Sequence, residues 1–331
     1  MKTAFLLCAS IFSGLLHSQT EVTLGQIQHW LDKDQFLNIE KHVTTLPNYA
    51  ADITLQQAHA KALIGLAKHE DAAEFLQKAT SAFPQDAELL QLAAMNQFTL
   101  AQQASIFSAA GHAKDGLALL KKAVQLAPDD SDIQLNLIGF YLQAPGIAGG
   151  DEEEGKKLAT GLASKDPVKG TIAQVMVLNS DDQHAAALKL IDSALQQQPQ
   201  AESLLAQKAQ LLIGDAQIAA AVPLYQQAAE HADEPKSKYS YLYQLGKLAA
   251  TQQQDKTIGK QALQQFIEYY QGGENQFLPW ARLRLAQIHV LEQDKSAAEQ
   301  VLQPVLALKD KDERLEKELK TLQKQLKTLK S

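Results

Sequence analysis

The feature that most restricts this chain is a degenerate two-helix unit that keeps returning along its length. Residues 58–84 read AHAKALIGLAKHEDAAEFLQKATSAFP, residues 104–128 read ASIFSAAGHAKDGLALLKKAVQLAP and residues 209–233 read AQLLIGDAQIAAAVPLYQQAAEHAD. Each stretch has a small residue in a first helical segment and then a short polar turn. A second segment follows with a small residue, a large apolar one four places later and Ala three after that. A Pro or Asp closes the unit. One such unit cannot bury its apolar face alone, so a chain built of them folds by stacking neighbours into a series of small cores.

The spacing has a steric reason. Antiparallel helices that approach to roughly 8–10 Å need small side chains where they cross. Ala60 with Ala72, and Ala209 with Ala221, suit that role; Leu76, Leu120 and Tyr225 suit the groove between successive pairs. Proline stops a second helix and is tolerated in the first turn of the next. Pro47, Pro84, Pro128, Pro167 and Pro199 fall at such joints, at intervals of 37, 44, 39 and 32 residues. Glycine and proline are otherwise sparse, 17 and 10 in 331 residues. Ala, Leu, Gln and Lys, all good helix formers, recur throughout. No segment alternates apolar and polar residues as a half-buried strand would. The expectation is an all-α chain of about eight antiparallel helix pairs. The third pair has a long first helix, about Asp86 to Ala110, and Pro304 falls inside a second helix and kinks it.

The last segment, about Lys311 to Lys330, reads as a single helix. Leu315, Leu319, Leu322, Leu326 and Leu329 make a one-sided stripe at heptad-like spacing. Such a stripe fits a capping helix that seals the final repeat. It also fits a coiled-coil homodimer. Membrane binding fits less well, because acidic residues interleave with Lys317, Lys320 and Lys324.

The pattern resembles the tetratricopeptide repeat, whose ideal unit is about 34 residues long. Ala72, Ala79 and Pro84 match its second-helix positions, as do Leu120, Ala123 and Pro128; Leu245-Gly246 is similar to its Leu-Gly step and Trp280 to its leading Trp. No repeat keeps the full set. The resemblance covers nearly all of the chain after its first residues and implies a right-handed α-solenoid. It also implies that the first helices line a concave groove, into which points the residue just after each small crossing position. That selects Lys61, Ser105, Met176, Gln210 and Lys247, with Trp280 and Gln287 in the final pair. The set is mixed and nearly neutral, with no Lys/Asn/Arg clamp for a terminal carboxylate, and it suits an extended or helical peptide or a modest apolar ligand.

Charge and targeting bound the function further. The formal net charge is −7, and no basic face marks a nucleic-acid partner. Lys2 precedes an apolar run from Ala4 to Leu16 and then His17-Ser18, the pattern of a secretory signal cut after Ser18. The run is too short to span a bilayer, which needs roughly 20 residues. Cys8 is the only cysteine, and Leu7 before it does not suit lipid attachment. The processed chain is then expected to hold no thiol, hence no disulfide or thiolate metal site. It has no Asn-x-Ser/Thr sequon. These features point to a bacterial periplasmic protein, with a signal at 1–18, helical repeats over 19–310 and a capping helix at 311–331.

Chemistry is hard to find. Pro145-Gly-Ile-Ala-Gly-Gly-Asp151 is rich in glycine, and a loop of that kind before a helix can cradle phosphate. Here no strand precedes it, no Lys-Ser/Thr follows, and Glu152, Glu153 and Glu154 would repel an anion. Asp151 reads instead as an N-cap. The loop is similar to a Pro-x-x-x-Gly-Gly-Asp insert of some exported bacterial tetratricopeptide proteins. Asp129-Asp130-Ser131-Asp132 lacks the glycine and distal Glu of a calcium loop. Asp181-Asp182-Gln183-His184 occupies a repeat turn, and both clusters read as caps. His59, His69, His112, His231 and His289 are dispersed with no second His at a zinc spacing, and no Gly-x-Ser-x-Gly step appears. Tyr225, Tyr239, Tyr241, Tyr243, Phe266, Tyr269, Tyr270, Phe277 and Trp280 enrich the C-terminal third and read first as core. No metal, cofactor or catalytic group is expected. The leading functional expectation is a protein- or peptide-binding scaffold in the cell envelope. The alternative is a ligand-handling helical subunit of a transport system, and an enzyme ranks behind both.

Overall fold

Alanine, where two helices cross, sets the architecture. In the computed structural model, which describes residues 22–309 and 311–329, Ala60, Ala72, Ala209 and Ala221 are all fully buried. The expected signal at 1–18 lies outside the described residues. Within them seventeen α-helices follow one another without a strand. They are α1 (Leu24–Asp32) with α2 (Phe36–His42), α3 (Ile53–Gly65) with α4 (His69–Ala82), α5 (Ala87–Gln103) with α6 (Ile106–Leu126), and α7 (Ser131–Gln143) with α8 (Glu152–Lys165). The series continues with α9 (Pro167–Ser180) and α10 (His184–Gln197), α11 (Glu202–Gly214) and α12 (Ile218–His231), α13 (Pro235–Gln252) and α14 (Lys256–Tyr269), and α15 (Leu278–Leu291) and α16 (Lys295–Leu306). Helix α17 (Glu313–Thr328) closes the series as an unpaired cap.

There is no central core. One apolar cluster joins Ala60 and Leu63 to Ala72, Leu76 and Ala79, and then to Leu89 and Ala93 of the next pair. Another joins Ala209, Leu212, Ala221, Tyr225, Leu245 and Ala262. Each cluster draws on consecutive helices only, as expected of a solenoid. Leu76, Leu120 and Tyr225 are buried as the spacing predicts. The five joint prolines all lie between pairs, Pro167 as the first residue of α9. Amides left without a partner at the helix starts are satisfied by Asp side chains: Asp52, Asp86, Asp130, Asp151, Asp166, Asp255, Asp294 and Asp312 each accept a backbone N–H at the start of a helix.

The turn inside five of the pairs is one motif. Asp34, Ala67, Asp182, Ala216 and Gln293 each take a left-handed backbone, with φ from 50° to 62°. The next amide bonds back across the turn: Gln35 to Trp30, Lys68 to Leu63, Gln183 to Leu178, Gln217 to Leu212 and Asp294 to His289, at 2.7–2.9 Å. This is the Schellman closure, usually made with glycine. None of these turns uses glycine, so the sequence carries no mark of them.

Three expectations need correcting. The third pair does not turn near Gly111. Ala104 and Ser105 are extended (ψ 161° and 157°), so α5 ends at Gln103 and α6 begins at Ile106. Gly111 sits inside α6 with open space around it, and His112 reaches back to Gln97 of α5 at 2.8 Å. The Asp181-Asp182 turn does not cap α10, whose N-cap Gln183 makes no side-chain bond; Asp181 ends α9 and pairs with Lys156 at 3.2 Å. The leucine stripe is not free for a second chain: Leu315, Leu319, Leu322 and Leu326 are buried against Leu283, Ala286, Ala298, Leu302 and Val305 of the same chain, and Leu329 packs beside them. The capping role stands and a coiled-coil homodimer through this stripe does not. At Pro304 the helix runs on to Leu306, as α12 runs through Pro223. Both prolines are on the exposed face of their helices.

The first pair also touches the seventh. The turn of the first pair, Lys33–Gln35, lies on the link between α14 and α15. Asp34 carbonyl oxygen accepts Glu274 N–H at 2.8 Å, and its carboxylate accepts Asn275 Nδ2–H at 2.7 Å.

Candidate functional site: the face of the first helices

The wall a partner would meet follows from which helices touch. First helices pack on first helices: α1 on α3, α3 on α5, α7 on α9, α9 on α11, α13 on α15, and α15 on the cap α17. No two second helices pack to a comparable extent. The first helices therefore form the inner, more tightly curved wall.

Polar side chains cross this wall from pair to pair. Lys61 pairs with Glu88 at 2.5 Å, and Gln57 Nε2 donates to Asp86 at 3.2 Å, tying α3 to α5. Lys169 pairs with Asp132, tying α9 to α7. Met176 lies on the same side, its methyl 3.0 Å from where a Cβ at Gly139 of α7 would stand, so the Met176 side chain packs over Gly139 between α7 and α9. Gln210 and Lys247 are exposed on α11 and α13.

The final pair is more elaborate. Trp280 is half-buried, with the guanidinium carbons of Arg284 and Arg314 at 5.1 and 5.5 Å from its ring centre. Arg284 is 4% exposed; it donates to Gln287 at 2.9 Å and makes a two-pronged contact with Glu318 of the cap. Burial acts to raise the Glu318 carboxyl, but the hydrogen bond and charge of Arg284, with Arg314 beside it, hold it below the usual carboxylate range. Gln287 also edges a depression of about 360 Å³ with Arg314, Lys317, Thr321 and Gln325.

Ser105 is the one selected residue that is not on this wall. It is the N-cap of α6, at the tip of the α5–α6 hairpin. The real crossing in that pair sets Ala94 against Gly116, whose Cβ position lies 3.0 Å from the Ala94 carbonyl and against the Phe98 ring. The residue after Ala94 is Met95, 41% exposed. The sequence signal was Gly116 itself, masked because this hairpin is longer than the others. The inner row is thus Lys61, Met95, Met176, Gln210, Lys247 and Gln287, with Trp280 about two turns earlier on α15.

The other candidates resolve into structure. In the glycine-rich loop the amides of Ala148, Gly149, Gly150 and Asp151 bond to Pro145, Gly146, Pro145 and Tyr141 carbonyls, leaving none of them to hold phosphate. Asp151 caps α8 as expected. Asp130 caps α7. Among the described residues no three His, Cys, Asp or Glu side chains stand together as a metal site. His59, His69 and His112 bond Tyr49, Asn96 and Gln97 on neighbouring segments. Of the aromatics, Tyr225, Tyr243, Phe266 and Tyr270 are core; burial pushes the Tyr225 phenol up to about 12. Among the described residues no helix is long and apolar enough to cross a membrane.

No family model matches the chain, and no curated protein matches it. Solved structures do. Yeast Tom70 superposes with a TM-score of 0.58 at 16% identity, over 88% of this chain and 57% of Tom70. This is the tetratricopeptide fold. Other similar structures are a thermophilic tetratricopeptide protein from Thermus thermophilus (TM-score 0.45, 17% identity, 57% of this chain and 92% of that one) and a tetratricopeptide repeat protein from Parabacteroides merdae (0.43, 9%, 90% and 96%). At such identities the likeness speaks for fold alone, and the chain spans 57% of Tom70's length. Among the described residues the tetratricopeptide solenoid has eight pairs and a cap, in line with the about eight expected from the repeat.

Proposed function

We propose that this chain is a non-enzymatic scaffold of the bacterial cell envelope that holds an extended or helical segment of a protein partner along its inner wall. The observation that carries this reading is the row of partly or fully exposed, chemically mild side chains, Lys61, Met95, Met176, Gln210, Lys247 and Gln287, on six of the eight first helices, α1 and α7 contributing none. A long wall of this kind offers many weak contacts spread along its length, which suits a chain-like ligand better than a compact one. Trp280, with two guanidinium groups around it, is the aromatic anchor at one end of the row.

The test is site-specific photo-crosslinking in intact cells, with the probe at Gln210 or Lys247 on the inner wall and at Gln265 on α14 as the outer control. The expected result is one partner adduct from the inner positions, absent from the outer one, with the purified partner binding less tightly to a Gln210→Glu, Lys247→Glu variant. Equal labelling from both faces would refute the inner-wall reading. Release of the chain by osmotic shock tests the envelope location separately.

A further inference from the structure

The contact between the first and seventh pairs joins opposite edges of the solenoid. Turns inside pairs lie on one edge, and links between pairs lie on the other. Lys33–Gln35 is the turn of the first pair; Tyr270–Asn275 is the link from the seventh pair to the eighth. Lys236, whose Nζ is 3.7 Å from Asp34 Oδ1, lies at the start of α13, on the link edge as well. One edge of the first pair therefore rests on the other edge of the seventh, which means that the superhelix has completed a turn.

The contact is built rather than grazing. Glu274 donates its N–H to the Asp34 carbonyl, and its carboxylate accepts Leu37 N–H at 3.1 Å. Leu37 is in the first turn of α2, where an amide has no partner within its own helix. The Asp34 carboxyl is buried and takes Asn275 as its donor. Lys33 Nζ lies 3.3 Å from the Tyr269 ring centre, and Tyr269 stacks on Tyr239 at 3.8 Å. Gly273 has no room for a side chain: a Cβ there would stand 2.2 Å from the Lys33 carbonyl and 3.1 Å from that of Asp34, both on the far end of the chain.

We propose that this contact is a clasp that fixes the pitch of the solenoid and opens as one unit. In a stack where each pair meets only its neighbours, curvature comes from a small rotation repeated at every step. Six steps separate the first pair from the seventh, so a small change at each is summed at the clasp. The clasp closes at one pitch, and whatever changes the rotation between pairs anywhere along the inner wall must open it.

The two amides that cross the clasp give the test, in the full chain with no partner added. Neither Glu274 N–H nor Leu37 N–H has another acceptor, so their protection from hydrogen exchange reports closure alone. Exchange is measured at both amides by NMR in the parent and in Gly273→Ala, which wedges the clasp without strain in its own link. Glu274→Ala is the second variant, removing the Leu37 acceptor without adding bulk. Gly161→Ala in α8, where the added methyl meets open space, is the control. In the parent both amides are expected to be protected, by a common factor. In Gly273→Ala both should speed up together, at least tenfold, with an unchanged helical circular dichroism spectrum and a larger radius of gyration. In Glu274→Ala the Leu37 amide should speed up likewise. Parent amides exchanging at open-chain rates, unequal responses at the two amides in Gly273→Ala, or no response to either variant would each overturn the clasp.

Discussion

Gly246 is where the packing argument is most exposed to measurement. A Cβ at this position in α13 would stand 2.1, 2.4 and 2.7 Å from Cγ, Cδ2 and Cδ1 of Leu263, and Leu263 on α14 is fully buried. All three are below the distance at which real side chains sit, and the obstructing group is the branched end of a core residue. Gly246→Ala therefore overpacks the crossing, at about 1–3 kcal/mol. Exchanging glycine for alanine inside a helix returns about 1 kcal/mol. Three simultaneous clashes put the overpacking at its upper end, so the expected net loss is about 1–2 kcal/mol. Leu263→Ala alone leaves a cavity and should lose about 2–5 kcal/mol. In the double variant the new methyl occupies part of that cavity. The loss should then be no larger than for Leu263→Ala, a favourable coupling of at least about 1 kcal/mol. The assay is urea unfolding followed by Trp280 fluorescence. Trp280 packs against the same cluster as Leu263, and Trp30, the only other tryptophan, is replaced by phenylalanine in every variant. A local probe matters because a solenoid need not unfold as one unit. If the two losses simply added within about 0.5 kcal/mol, α13 and α14 would not cross at Gly246 and Leu263.

Ala72→Leu and Ala221→Leu, at two other fully buried crossings, should each lose about 1–3 kcal/mol by urea unfolding, whereas Lys61→Ala, which breaks only a surface ion pair, should stay within about 0.5 kcal/mol. Ala216→Gly relieves a left-handed alanine at φ 59° and should raise stability by about 0.5–1 kcal/mol in the same assay; a loss would mean that the turn is not left-handed in solution. The lowered Glu318 carboxyl predicts a pH effect with a definite sign. Its stabilising share is fully present above the ordinary carboxylate range and disappears as pH falls through its lowered folded value. Acid titration should therefore loosen α17 around Trp280, and Glu318→Gln should flatten that part of the curve; a stabilisation on acidification would reverse the argument.

What the sequence determined alone is the local grammar. Small residues at a fixed offset, large apolar ones four places on and prolines at the joints can be read without coordinates, because each reflects a contact between helices adjacent in the chain. They yielded eight pairs, the crossings at Ala60–Ala72 and Ala209–Ala221, and the burial of Leu76, Leu120 and Tyr225. The same grammar failed in the third pair, where Gly116 carried the crossing but Ala104 and Gly111 mimicked its pattern, and so Ser105 was selected in place of Met95. It missed the repeated turn because Ala67 and Ala216 hold a backbone that usually advertises itself with glycine. It left open whether the leucine stripe of α17 meets its own chain or another, since an apolar face carries no address; only the packing of Leu302 and Val305 against it decided that. The junction of Asp34 with Glu274 and Asn275 lies furthest from sequence reasoning. Those residues look like ordinary polar loops, and what brings them together is the sum of rotations over all the pairs between, which no local pattern records.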